Sequence, residues 1–128
     1  MQALRGAFDE ASFAARVDEV QRPEGYRLVG AFEAGREQAV AVAGFRTGHS
    51  LAWGHYLYVD DLSTVGEARR KGCASALLDW LAEEAKRLDC DQLHLDSGVG
   101  PDRFDAHRLY LNHGYAIFSH HFARGVQL

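Results

Sequence analysis

Apolar positions change their period along the chain, and the changes predict its elements. Phe13, Val17 and Val20 recur at helical spacing behind Asp9, a residue suited to capping a helix start, so a first helix is expected near 9–20. Pro23-Glu24-Gly25 stops it. Tyr26, Leu28 and Phe32 then follow the alternation of a half-buried strand, and Glu33-Ala34-Gly35-Arg36-Glu37 has the composition of a hairpin turn. Ala39–Phe45 is a second strand, small and almost continuously apolar. Thr47-Gly48-His49-Ser50 predicts another turn, and Leu51–Leu62 a long third strand. Connections this short leave no room for a crossover helix, so the three strands are expected to be antiparallel.

Beyond Leu62 the period becomes helical. From Gly72 to about Leu88, the residues Ala74, Leu77, Leu78, Leu81, Ala85 and Leu88 fall within one stripe of ~100° on a helix, with Asp79, Glu83, Lys86 and Arg87 outside it. Gln92–Ser97 alternates Leu93 and Leu95 with His94 and Asp96, as a short strand does. The loop Gly98-Val99-Gly100-Pro101 leads to a helix near 103–113, which Gly114 can end in a left-handed conformation. Tyr115 to Val126 is expected as a last strand. The predicted order is helix, three-strand meander, helix, strand, helix, strand, with no repeat or linker to divide it. An α/β (α+β) chain forming a single domain over 1–128 is the expectation.

Composition narrows the function. Fourteen Lys and Arg stand against eighteen Asp and Glu, a net charge of −4, which argues against a nucleic-acid partner. The basic run Arg69-Arg70-Lys71 suits a small anion instead. The apolar stretches are of strand length, well short of the ~18 residues of a membrane span, and Met1–Arg5 lacks a signal-peptide pattern. With only Cys73 and Cys90, no disulfide framework is legible, and a cytoplasmic protein is expected.

The chemistry concentrates between Asp60 and Leu78, where a strand runs through a basic, glycine-bearing loop into an amphipathic helix. The first N–H groups of a helix lack internal acceptors and carry the positive end of its dipole, so this is a ready place for a phosphate. A basic turn capping a core helix would have the same composition. Arg69, Gly72 and Ala74, however, meet the pattern Arg/Gln-x-x-Gly-x-Gly/Ala, and the segment resembles the acetyl-CoA signature of the GNAT (GCN5-related N-acetyltransferase) superfamily. Downstream, Ala106-His107-Arg108-Leu109-Tyr110-Leu111-Asn112-His113-Gly114-Tyr115 is similar to that family's later segment, Ala-x-x-(aromatic/Leu)-Tyr-x-x-x-Gly-(Phe/Tyr). The two matches span roughly 55–118. Three residues before Ala106, where many relatives carry Asn, this chain has Arg103.

The resemblance implies a GNAT acyl-CoA N-acyltransferase fold: a mixed, mostly antiparallel sheet flanked by helices, splayed between the strands at 51–62 and 92–97, with the family's usual first strand expected to be missing. It implies acetyl-CoA as cosubstrate. Backbone N–H groups from about Arg70 to Ser75, the run Arg70, Lys71, Gly72, Cys73, Ala74 and Ser75 behind Arg69, would hold the pyrophosphate, and Leu62, Ser63 and Thr64 would pair with the pantetheine arm. Tyr110 becomes the proton donor to the departing thiolate, and a backbone N–H near Leu62 the oxyanion donor. The expected reaction is transfer of the acetyl group to a primary amine of a small molecule by direct attack through a tetrahedral intermediate, without metal. A non-catalytic acyl-CoA-binding module on the same fold is the alternative.

The residue that binds or deprotonates the amine is open. Asp60 and Asp61 are neighbours on a strand, so they are expected to face opposite sides, with at most one toward the acceptor. Asp96 could face the cleft or cap the Ser97–Gly100 loop. His107, or one of His120 and His121, could act as a base. A zinc site is not expected, because positions 107 and 113 lie on different helix faces and 120 and 121 point oppositely. The aromatic edge of the last strand fits a homodimer contact and fits core packing equally.

Overall fold

The structure is a computed structural model that describes residues 10–32, 35, 38–64 and 72–127. The chain divides into two compact units, 1–95 and 96–128.

In the first unit, α1 (Glu10–Arg16) continues into a wide turn over Val17–Gln21 and a tight one over Arg22–Glu24. Gly25 ends this segment in the left-handed region at φ 95°, which a residue without Cβ adopts cheaply. Four strands follow: β1 (Arg27–Ala31), β2 (Ala41–Ser50), β3 (Gly54–Thr64) and β4 (Gln92–Leu95). They form a sheet in the order β1-β2-β3-β4. The first three are antiparallel as the short connections require, and β4 is parallel to β3 behind the crossover helix α2 (Cys73–Arg87). The mixed sheet flanked by helices agrees with the α+β expectation.

One face of the sheet makes the core. Ala43, Phe45, Leu57 and Val59 are buried against Leu77, Leu78, Leu81 and Ala85 of α2, and Trp80 meets the edge of the Phe45 ring at 5.8 Å. Each fully buried leucine here contributes roughly 1.5–3 kcal/mol. Glu84 is also buried, at 6% exposure, where Arg27 of β1 (2.7 Å) and Arg87 of α2 (2.9 Å) satisfy its carboxylate. Those partners, Arg87 foremost and against the effect of burial, hold its pKa at about 2.

Two boundaries differ from expectation. The predicted turn at 47–50 is strand: β2 pairs with β3 as far as Ser50↔Gly54, and the chain reverses at 51–53. Gly48 is there for another reason. A Cβ at that position would come within 2.6 Å of the Tyr56 hydroxyl, so the missing side chain makes room for a cross-strand ring. The third strand accordingly starts at Gly54, not Leu51.

The second unit contains a tight turn at Pro101–Arg103 and α3 (Phe104–Asn112), closed by Gly114 at φ 87°. The last strand expected at 115–126 is not formed. These residues adopt no regular structure, and Ile117, Phe118, Phe122 and Val126 are 80–92% exposed. An extended segment becomes a strand only by pairing, and the described residues of this unit include no second strand.

Candidate active site

The start of α2 is built for an anion. Gly72 stands at its N-cap with φ 75° and ψ 18°, and the first helical bond runs from Ala76 N–H to the Gly72 carbonyl at 3.0 Å. The N–H groups of Cys73 and Ala74 open the helix and so have no acceptor within it, and no side chain caps the start at Gly72. No acidic residue occupies the first turn, so nothing there opposes the positive end of the dipole. A Cβ built on Gly72 meets nothing within 4 Å among the described residues. A left-handed glycine below the first donor N–H groups of the helix fits a pyrophosphate lying across the helix start. Arg69, Arg70 and Lys71 lie outside the described residues.

Toward this helix runs β3. Its pairing with β4 ends at Val59↔Leu95, whereas β3 continues to Thr64 alongside β2, with Leu62, Ser63 and Thr64 opposite Ala43, Val42 and Ala41. Within the first unit, β3 outruns β4 by five residues, and this is where the sheet opens between the two strands predicted to splay. The backbone edge of Leu62–Thr64 on that side is not used by β4.

The opening coincides with a β-bulge. Gly44 pairs with Asp61 and Phe45 with Val59, which makes Asp60 the inserted residue. The bulge overturns the expectation that Asp60 and Asp61 face opposite sides. Gly44 and Arg46 lie two apart on regular β2 and so share a face. Arg46 Nε donates to Asp60 at 3.0 and 3.2 Å, and the Tyr26 hydroxyl, lying over Gly44, donates to Asp61 Oδ2 at 2.7 Å. Both carboxylates thus stand on the sheet face opposite α2, with Tyr58, whose ring lies 5.1 Å from the Arg46 guanidinium. The inserted residue has cancelled the period-2 alternation locally.

In the second unit, Tyr110 sits half-buried on α3, its ring 6.2 Å from that of Tyr115. Burial raises the Tyr110 phenol above its ordinary pKa of 10, against an opposing pull from the Arg103 guanidinium. It is therefore protonated at neutral pH. Tyr115 is pushed up to about 12 by burial and by Tyr110, and its buried hydroxyl has no hydrogen-bond partner among the described residues. The other candidates have structural partners. His107 Nε2 lies 2.6 Å from the Gly98 carbonyl, tying the loop to α3, and Asp96 pairs with His121 at 3.2 Å. No group of three or more potential ligands among the described residues is placed to hold a metal ion.

The profile of the Acetyltransferase (GNAT) family matches residues 1–115. The chain is 31% identical over 127 residues to the uncharacterized N-acetyltransferase YhdJ of Bacillus subtilis (strain 168), covering 98% of this chain and 87% of that one. The chain belongs to the GNAT acetyltransferase family. Solved structures agree on the fold. A ribosomal-protein-alanine N-acetyltransferase from Brucella melitensis superposes with a TM-score of 0.75 at 24% identity, over 96% of this chain and 86% of that one. A GNAT family acetyltransferase from Staphylococcus aureus gives 0.74 at 20% identity, over 93% and 78%. Acetyl transfer is the chemistry of the GNAT family.

Sequence reasoning missed three residues of this site: Tyr26, Gly44 and Arg46. The first two fell on ordinary strand positions, and Arg46 drew no reading. Their roles come from a bulge that no local pattern announces. No helix among the described residues is long and apolar enough to cross a membrane.

Proposed function

We propose that the protein transfers the acetyl group of acetyl-CoA to a primary amine of a small molecule. The observation that carries this reading is the start of α2, where Gly72 opens the helix in a left-handed conformation below its first N–H donors, with none of the described residues within 4 Å of an added Cβ. The pyrophosphate would lie against Gly72, Cys73, Ala74 and Ser75, with Arg69, Arg70 and Lys71 as flanking cations. The pantetheine arm would add itself along Leu62, Ser63 and Thr64 where β3 outruns β4.

The thioester is then held beside the bulge. The amine nitrogen attacks the carbonyl carbon, and the Leu62 N–H receives the charge developing on the oxygen. A carboxylate at the bulge, Asp61 or Asp60, binds the ammonium form and takes its proton, directly or through water. The carbon–sulfur bond breaks as Tyr110 gives its phenolic proton to the thiolate, while the nitrogen, now bonded to carbon, loses its second proton to solvent, from which Tyr110 is reprotonated. The products are the amide and free CoA, so no covalent enzyme species is needed.

A calorimetric titration with acetyl-CoA, followed by a thiol-release assay over a panel of primary amines, tests the reading. Saturable binding with amine-dependent thiol release supports it. Binding without release from any amine leaves an acyl-CoA-binding module. No binding at millimolar acetyl-CoA by the folded protein overturns it.

A further inference from the structure

Asp61 is held in place by a construction that reaches across the sheet. Tyr26 lies just before β1, and its backbone is fixed: Gly25 N–H donates to the Arg22 carbonyl at 2.9 Å and Tyr26 N–H to the Gln21 carbonyl at 3.1 Å. Its side chain is buried at 8% exposure and passes over β2 at Gly44. A Cβ on Gly44 would overlap the Tyr26 hydroxyl and the ring carbon that bears it, so this path exists only because residue 44 has no side chain. The hydroxyl ends 2.7 Å from Asp61 Oδ2, thirty-five residues away in the chain. The neighbouring carboxylate is managed differently, since Asp60 is gripped through both oxygens by Arg46.

The place that Tyr26 fixes is the one the reaction uses. Asp61 precedes Leu62, the N–H proposed for the oxyanion, by one residue, a rise of about 3.3 Å along a strand. A carboxylate there stands within reach of a nitrogen attacking a carbonyl bound at Leu62. A bulge gives its side chains more than one direction to take, and a buried hydroxyl of fixed origin selects one of them. We propose that Tyr26 is a positioning residue for the acetyl transfer, fixing through the gap at Gly44 the Asp61 carboxylate that receives the acceptor amine. The inference rests on the acetyl-transfer reading above and narrows its amine-binding carboxylate to Asp61.

The test compares Tyr26→Phe, Asp61→Asn and the double variant with the wild type. Tyr26→Phe removes one oxygen and keeps the buried ring. Acetyl-CoA affinity is measured by calorimetry, folding by thermal melting, and kcat and KM by thiol release with spermidine, tyramine and glycinamide as acceptors. The expected result is a loss on the order of 10–100-fold in kcat/KM for the amine in Tyr26→Phe, the scale of a slightly misplaced reacting group. Acetyl-CoA affinity stays at the wild-type value. Because Tyr26 acts through Asp61, the double variant is no slower than Asp61→Asn alone. A Tyr26→Phe protein with wild-type amine kinetics beside an impaired Asp61→Asn overturns the positioning role alone and leaves the tyrosine as a structural contact. An Asp61→Asn protein with wild-type kinetics overturns the amine-binding role as well. A wild type that binds acetyl-CoA and releases no thiol with any of the three overturns both this inference and the transfer reading.

Discussion

Gly72 allows a charge to be placed in the proposed pyrophosphate site with little harm to the fold. Its φ of 75° penalises any residue with a Cβ, and that conformation costs roughly 1–2 kcal/mol for an ordinary residue. Among the described residues no atom stands within 4 Å of the added carbon, so the backbone cost is the only structural cost they impose. Gly72→Gln and Gly72→Glu share this cost and nearly share a shape, and they differ by one negative charge. If a phosphate lies about 4 Å from that charge, an effective dielectric near 20 gives a repulsion of ~4 kcal/mol. That corresponds to roughly a thousandfold weaker binding of acetyl-CoA to the Glu variant than to the Gln variant. Calorimetric titration of both at 25 °C reads the difference, and raising the salt from about 0.05 to 0.5 M should shrink it as the Debye length falls. Equal affinities for the two folded variants, both close to wild type, would refute the placement of the phosphates at this helix start.

Three further outcomes are expected. Gly44→Ala drives Tyr26 from its place, combining overpacking of about 1–3 kcal/mol with the loss of a hydrogen bond to a carboxylate worth about 1.5–3; calorimetric melting should show Tm lowered by on the order of 10–20 °C, and an unchanged Tm would mean the ring does not cross at Gly44. Tyr110→Phe should lower kcat by about 10²–10⁴-fold with acetyl-CoA affinity intact. Because burial raises that phenol above 10, the wild-type kcat should hold to about pH 10, and an equally active Phe variant removes Tyr110 from the chemistry. For Glu84 the folded pKa of about 2 lies below the ordinary 4.5, so its stabilisation is full above pH 4.5 and is lost as pH falls toward 2. Glu84→Gln should therefore melt below wild type at pH 7, with the gap closing across that window; a gap that persists at pH 2 would show that the ion pairs to Arg87 and Arg27 are not its source.

What could be foreseen of this molecule depended on how far apart in the chain the cooperating residues lie. The stripe of α2 was legible because Leu77, Leu78, Leu81 and Ala85 meet the sheet through one helix period, and the same pattern hid the buried Glu84, whose partner Arg27 lies on β1. The helix start at Gly72 was legible because its signal lies in consecutive residues. Gly48 misled, since a glycine between Thr47 and His49 has the composition of a turn, whereas its function is to clear space for Tyr56 on the facing strand. The last strand misled for a related reason: alternation records a capacity to pair, and pairing needs a partner that the segment's own sequence does not contain. The aspartates are the sharpest case. Alternation assigned them to opposite faces, and a single inserted residue at 60 brought them together, with partners fourteen and thirty-five positions away. The acyl carrier is proposed to be held by backbone, so its candidate site is written in a short motif. The acceptor amine is proposed to be met by side chains brought together from β2, β3 and the segment before β1, so on this reading a search for the substrate begins from pairings such as Tyr26 with Asp61.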